Sequence, residues 1–319
     1  MIHLRVFPLI VAFVALVGGP RAWGQDGDPV PEPNNPEESV PDSSVGTWVY
    51  GANAQLNVSQ AAYSNWQEGA GNNSLALAAG LGGEAMKRGE RWIQAHEVRL
   101  AIGILNQENQ EPRKSQDEIL GKSSLRYEGD DFFRLFNPTM AVNLRTQFAR
   151  GFDYSSNPFA GQVPEGDPRA DLQTPVESSQ FFAPAFITES LGLTYEPISA
   201  FTLRFGAASK QTVVTVRDFR VLYGVSEDKV ARVEAGAEFA SSFDRQLTEN
   251  VRYRSQLDVF FSFNQVKNPP DARWDNTVSL SVNDWLSTDL QFVALFDKDI
   301  SDALQFKETI SVGLSFTLI

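Results

Sequence analysis

The side chains in this sequence that could do chemistry are charged residues set at every second position of long alternating segments. Glu97, Arg99, Arg145, Arg204, Arg232, Glu234, Glu238, Arg252, Arg254, Asp258, Asp275, Asp289 and Lys307 stand on the polar rows of such segments, opposite rows rich in Val, Leu, Ile, Ala and Phe. Successive strand side chains point to opposite faces, so these residues are expected to share the inward, lumen-lining face of a closed sheet. Acids and bases mixed on an enclosed face have two uses. They can pair across the interior and fill it as a polar core, or they can line a narrow aqueous pore that selects by charge. The sequence leaves both open.

Other chemistries have less to draw on. Past the first 24 residues the only histidine is His96, in the same alternation row as Val98 and Leu100 and therefore expected near the outer face. A serine–histidine hydrolase would need a nucleophile and an oxyanion site beside it. No Gly-x-Ser-x-Gly elbow, phosphate-binding loop or dinucleotide fingerprint occurs. The chain is read as a non-enzyme that needs no cofactor. Asp297, Asp299 and Asp302 cluster in one loop and Asp130-Asp131 in a turn. Oxygen-rich loops can hold calcium, but this spacing is not that of an EF-hand, and solvated loop acids are expected instead. Cysteine is absent, which removes thiolate metal sites, thiol nucleophiles and disulfides together.

The element that would close such a sheet is the C-terminal stretch ALQFKETISVGLSFTLI, residues 303–319. Leu304, Phe306, Glu308, Ile310, Val312, Leu314, Phe316 and Leu318 form one row, and Gln305, Lys307, Thr309, Ser311, Gly313, Ser315 and Thr317 the other. With no turn residue inside it, the strand is far longer than the roughly five or six residues usual in soluble sheets. It suits a tilted strand crossing a bilayer. Similar segments recur at residues 48–60, 74–86, 92–105, 119–128 (the weakest), 139–149, 185–195, 201–209, 230–241, 251–263, 274–283 and 286–296. Connections alternate between short and long. The turn at 196–199 is tight, whereas 150–182 and 210–228 are substantial loops, the second with some strand character at 212–216. Residues 243–250 read as a connection, and Pro269-Pro270 break the loop before the next hairpin.

The expected fold is all-β: an antiparallel transmembrane β-barrel of about 12 strands, with short periplasmic turns and longer extracellular loops. Trp48, Trp92, Trp274 and Trp285 fall near strand ends, where interface aromatics belong. Closure also leaves no unpaired sheet edge in lipid.

Residues 1–24 read as a cleaved signal peptide, with weakly basic His3 and Arg5, an apolar run and small residues around Ala22 and Gly24. Residues 25–47 form an acidic, proline-rich linker with no aromatic residue before Trp48. Residues 48–319 show no compositional break and are taken as one barrel domain. Losing Arg5 and Arg21 with the signal takes the net charge from −13 to −15. So acidic a chain lacks the basic patch that nucleic acid requires. Hydrophobic residues make up 42% of the chain, which a barrel with a polar lumen shares with soluble proteins, so pattern and not composition carries the assignment.

Several stretches carry a resemblance to a known family: LNVSQAAYSNWQEGAGNNSLAL (residues 56–77), TQFARGFDY (146–154), SSQFFAPAFITESLGLTY (178–195) and LQFKETISVGLSFTL (304–318). Asn65-Trp66 with the glycines that follow, and Phe182-Ala183-Pro184-Ala185, are the more specific parts. Together they resemble an uncharacterised family, a domain of unknown function found in predicted outer-membrane β-barrels of Bacteroidetes-like bacteria. The resemblance implies a fold and a location and supplies no catalytic residues. Outer-membrane barrels commonly end on an aromatic, whereas Phe316 here lies three residues before the final Ile319.

The expected partners are outer-membrane lipids, the barrel assembly machinery through the C-terminal strand, and a small polar solute. The expected function is a narrow pore or transporter for such solutes in the outer membrane. The alternatives are a closed structural or binding barrel with a salt-bridged lumen and, further off, a membrane-embedded lipid hydrolase. The sequence sets no oligomeric state.

Overall fold

A computed structural model describes residues 45–61, 73–266, 268–283, 285–298 and 303–318. The expected signal peptide, most of the linker, and Tyr63, Trp66, Gly69, Asp299, Asp302 and Ile319 lie outside the described residues.

Alternation becomes strand throughout. The strands are β1 Trp48–Ala61, β2 Ser74–Arg88, β3 Trp92–Gln107, β4 Arg113–Tyr127, β5 Phe136–Thr146, β6 Gly151–Asp153, β7 Val176–Ser179, β8 Ala185–Ile198, β9 Phe201–Val213, β10 Ala231–Thr248, β11 Val251–Ser262, β12 Asp271–Ser281, β13 Leu286–Phe296 and β14 Gln305–Thr317. Twelve of them close into an antiparallel barrel in the order β1-β14-β13-β12-β11-β10-β9-β8-β5-β4-β3-β2, while β6 and β7 pair separately. Every barrel strand pairs with its neighbour in the chain once that inserted pair is set aside. The seam is β1 against β14, from Asn53↔Thr317 to Val58↔Val312.

The outward rows show why the barrel suits lipid. Leu81, Ile104, Met140, Leu191, Val233 and Ile310 are exposed, Leu191 to 67% and Ile310 to 58%. Apolar side chains bared in a continuous belt are what a hydrocarbon solvent stabilises and water does not. A closed sheet with every barrel edge paired, wrapped in that belt, is a transmembrane β-barrel. Aromatic side chains gather toward the strand ends. Trp92 packs on Tyr127 at 5.0 Å and Phe136 stacks on Tyr195 at 5.2 Å near the short-turn end. Trp274 meets Phe292 at 6.1 Å, and Phe292 meets Phe306 at 5.7 Å, toward the long-loop end.

Several strands exceed their expected bounds. β4 begins at Arg113 and not at residue 119, because a register shift between Gly103 and Ile104 carries its polar first half past a clean alternation. β10 continues to Thr248, so residues 243–248 are strand, turning at 249–250. β8 likewise runs to Ile198. The strand character at 212–216 is the end of β9, followed by a 3-10 turn at Arg217–Tyr223. On the β8–β9 ladder, Gly192 stands opposite Gly206, and a Cβ on either would run into the backbone of the other strand. Glycine is what allows the two strands to approach there.

An apolar cluster among the described residues is built by loops and not by the barrel strands. Phe159, Val176, Ala183, Val214, Phe219, Leu222 and Val225 pack together from the loops at 147–184 and 214–230. Both loops leave the barrel at its long-loop end and form a cap.

Candidate functional site

Register decides which side chains face inward. Gly82↔Arg99, Glu97↔Lys122, Lys122↔Asn143, Thr188↔Lys210, Lys210↔Glu234, Asp244↔Arg254, Gln256↔Asp275, Ser279↔Asp289 and Val293↔Lys307 lie on rows facing away from the exposed apolar belt. All the charged residues singled out from the sequence occupy these rows. So do Glu84, Glu118, Lys122, Arg126, Lys210, Asp244, Asp271 and Arg273, which sequence reasoning passed over. From sequence, Lys210 and Asp244 fall in stretches that read as connections. Extending the even-numbered row of Arg204 or Arg232 by a few residues would have recovered both.

Most ion pairs lie flat along the wall. Arg99 binds Glu97 at 3.0 Å, Arg232 binds Glu234 at 2.9 Å and Arg273 binds Asp275 at 2.6 Å, each two residues apart on one strand. Arg204 with Glu238 at 2.7 Å, Arg252 with Asp244 at 2.7 Å and Lys122 with Glu97 at 3.6 Å join adjacent strands. Asp289 accepts from Gln55 at 2.8 Å and from Ser279 at 2.6 Å, and Asp258 accepts from Gln256 at 2.9 Å. Near the short-turn end Arg126 donates to Glu196 at 2.7 Å.

Among the described residues, contacts cross the interior at two levels. Lys122 on β4 donates to Gln256 on β11 at 2.9 Å, between strands on nearly opposite sides of the barrel. Beneath the cap, Lys210 on β9 binds Asp271 at 2.6 Å and Asp297 at 2.8 Å. Asp297 is therefore not the solvated loop acid expected of it; its carboxylate is buried against an ammonium, which satisfies it there. Asp130 pairs with Arg91 at 3.0 Å at the surface, and no cluster of metal-ligating side chains occurs among the described residues.

Water reaches these two levels unequally. The side chains of Arg99 and Glu97 keep 50% and 33% of their exposure, whereas those of Lys210 and Asp297 keep 8% and 5%. Arg99 and Glu97 thus keep open surface toward the interior, whereas the level under the cap is tight.

The cap is locked by ions. Arg169 binds Asp167 at 2.7 Å within one loop and reaches Glu227 in the other. Arg220 donates to the carbonyls of Glu227 at 2.6 Å and Val214 at 3.2 Å, and the Tyr223 hydroxyl donates to Ser178 O at 3.1 Å. Burial pushes the Tyr223 phenol up to about 12. Hydrogen bonds from Arg169 hold the Asp167 carboxyl down at about 2, below its ordinary 3.8. A carboxyl depressed by folding contributes fully above its ordinary value and loses that contribution as pH falls toward 2. Amide exchange in residues 147–184, corrected for intrinsic rates, is thus expected to accelerate between pH 4 and pH 2. Asp167→Asn should exchange at the faster rate already at pH 5. Two cavities flank the cap: one of about 230 Å³ beside Phe159, Arg169 and Asp218, and one of about 350 Å³ beside Lys114, Arg150, Tyr154 and Ser179.

On the outer face, His96 Nδ1 lies 3.0 Å from Ser123 Oγ, and its ring is 5.7 Å from that of Trp48. Ser123 stands directly across the β3–β4 ladder from His96. No carboxylate hydrogen-bonds to either among the described residues, and the contact is a cross-strand polar pair near the interface.

Residues 58–152 match the family described as "Protein of unknown function (DUF3078)", a span from β1 into β6. It takes in nearly all of the first two resembling stretches and ends before the last two. No curated protein matches by sequence. Among solved structures, the fold is similar to the translocator domain of the autotransporter NalP from Neisseria meningitidis, at 8% identity, a TM-score of 0.37, and coverage of 84% of this chain and 87% of that one. It is also similar to the beta domain of the Bordetella autotransporter Brka, at 8% identity and a TM-score of 0.31 over 84% and 98%. The P. putida toluene transporter TodX matches at 10% identity and a TM-score of 0.29 over 84% and 89%. The barrel assignment rests on strand register and the outward apolar belt, not on these likenesses.

Proposed function

We propose that the protein is an outer-membrane barrel that passes small polar solutes through a narrow lumen. Export by a signal peptide delivers it, lipid covers its outward belt, and the assembly machinery engages its C-terminal strand. The observation that carries the pore reading is the direction of the ion pairs. Charges that pair along the wall neutralise one another and leave the axis to water, whereas a plugged core would pair them across it. The exposure kept by Arg99 and Glu97 supports this. The crossings at Lys122–Gln256 and Lys210–Asp271–Asp297 then act as constrictions.

Planar-bilayer recording of the folded protein tests the reading. Steady unitary currents of small size are expected, larger when Lys122→Ala removes one crossing. The buried cap and the tight Lys210 level favour one competing reading, a closed binding barrel. Silent bilayers from protein shown to be folded by its heat-modifiable gel shift would establish that reading and end the pore.

A further inference from the structure

The ion pairs of the lumen leave one guanidinium out. Arg254 stands in register opposite Asp244, the acid best placed to satisfy it. That carboxylate is already taken by Arg252, whose Nε reaches Oδ1 at 2.7 Å and whose Nη2 reaches Oδ2 at 2.9 Å. Arg99, a second cationic neighbour, is held by Glu97 at 3.0 Å, and the nearby Asp289 is engaged by Gln55 and Ser279. Among the described residues Arg254 has neither an ion pair nor a hydrogen bond. Glu84, a carboxylate in this part of the lumen, makes no hydrogen bond or ion pair to Arg254 among those residues.

A guanidinium carries five donors in a planar fork and stays charged at any physiological pH. Enclosed beside Arg252 and Arg99, with the oxygens of Asp244 and Asp289 taken up by other donors, it leaves its hydrogen-bonding fork unfilled unless an anion comes to it. Arg254 is half-buried, so its donors are reachable from the lumen. Arg145 repeats the pattern on the long-loop side of the Lys122–Gln256 crossing. Its guanidinium sits 5.1 Å over the Phe186 ring with no ion pair or hydrogen bond among the described residues. Its charged neighbours Arg273 and Asp275 bind each other, Asp297 is bound by Lys210, and Glu118 acts on it only at a distance.

We infer that Arg254 and Arg145 are two stations for a small oxyanion, a carboxylate or a phosphate, on either side of the middle constriction. The inference rests on the pore reading and names its solute class. A carboxylate or phosphate meets the planar fork with two parallel charge-assisted hydrogen bonds, which an inward-facing neutral solute cannot match.

The test uses the folded protein in planar bilayers under a potassium chloride gradient, with inorganic phosphate as the probe. The wild type is expected to favour anions and to show current block by phosphate. Arg254→Gln and Arg145→Gln should each weaken that block about 10-fold, as expected for one lost charge-assisted contact, and the double variant should lose anion preference. Arg254→Lys, which keeps the charge but not the fork, should keep the preference and bind phosphate less well. Currents whose selectivity is unchanged in the double variant, or a cation-selective wild type, would overturn the anion stations and leave the pore intact. If folded protein passes no current, the pore reading fails, and calorimetry of phosphate binding in detergent decides the stations alone. Binding abolished by Arg254→Gln upholds them, and no binding in the wild type overturns them.

Discussion

Lys210→Met is expected to lower the unfolding free energy by about 3–5 kcal/mol, the cost of removing one partner from a buried ion cluster. Lys210 reaches from the inward row of β9 to Asp271 at the head of β12 and Asp297 just beyond β13, keeping only 8% of its side-chain exposure. Methionine preserves the length of the stem, so the change deletes charge with little loss of volume. Two carboxylates are then left close together under the cap with no ammonium between them. Desolvation and mutual repulsion both disfavour their ionised forms. Neutralising the acids as well, in Lys210→Met/Asp271→Asn/Asp297→Asn, should return most of the lost stability, because the penalty lies in buried carboxylate charge that has lost its ammonium and not in the missing contact. Urea unfolding in lipid vesicles measures both variants. A loss below about 1 kcal/mol would mean that solvent screens the cluster as it does a surface pair, and the level under the cap would have to be wet. The pore reading adds a second outcome: the single variant should raise conductance, since the tight level loses the ammonium that ties Asp271 and Asp297 to β9.

How much of this site the sequence disclosed depends on the kind of information required. Period-two alternation is local, and it was enough to place Arg99, Arg145, Arg232 and Arg254 on one face and to give the strand number. Alternation also located the closing strand, because Leu304 to Leu318 carry their own rows. The constrictions were not legible in the same way. Lys122 meets Gln256 only because a closed barrel sets β4 nearly opposite β11, and no local pattern encodes that distance. Lys210 and Asp244 were missed for a different reason: turn-like composition nearby outweighed the parity that ran on through them. The cap was hardest to foresee. Residues 150–182 read as a polar loop, yet Phe159 and Val176 pack there against Val214, Phe219 and Leu222 of another loop, an apolar cluster assembled from residues spaced without any period. The idle state of Arg254 is legible only in three dimensions, since its register partner Asp244 is taken by Arg252.

Leu100→Arg is expected to cost about 2–4 kcal/mol in a bilayer, as a cation placed near mid-depth on a lipid-facing strand does. Leu100 lies near the middle of β3 on the outward row, between Val98 and Ile102, which are 49% and 47% exposed. Arginine there must either desolvate its guanidinium in hydrocarbon or drag water and headgroups inward around its stem. The matching inward change is Gln291→Arg, on β13 opposite Thr277 and Thr309, where the new charge meets a polar row. That variant should cost clearly less than Leu100→Arg, although Arg254 stands on the same inward row across Thr277 and adds some like-charge repulsion. The pair of variants separates lipid from water as the solvent of the outer face, because a barrel surrounded by water would reverse the order. There the outward arginine would replace a bared leucine at no cost, and the inward one would be the more disruptive. Unfolding measured in vesicles and again in detergent micelles distinguishes the cases. The Leu100→Arg penalty should be large in vesicles and smaller in micelles, whose surface deforms around the charge, and equal, negligible penalties in both would show that the apolar belt is not held in a membrane.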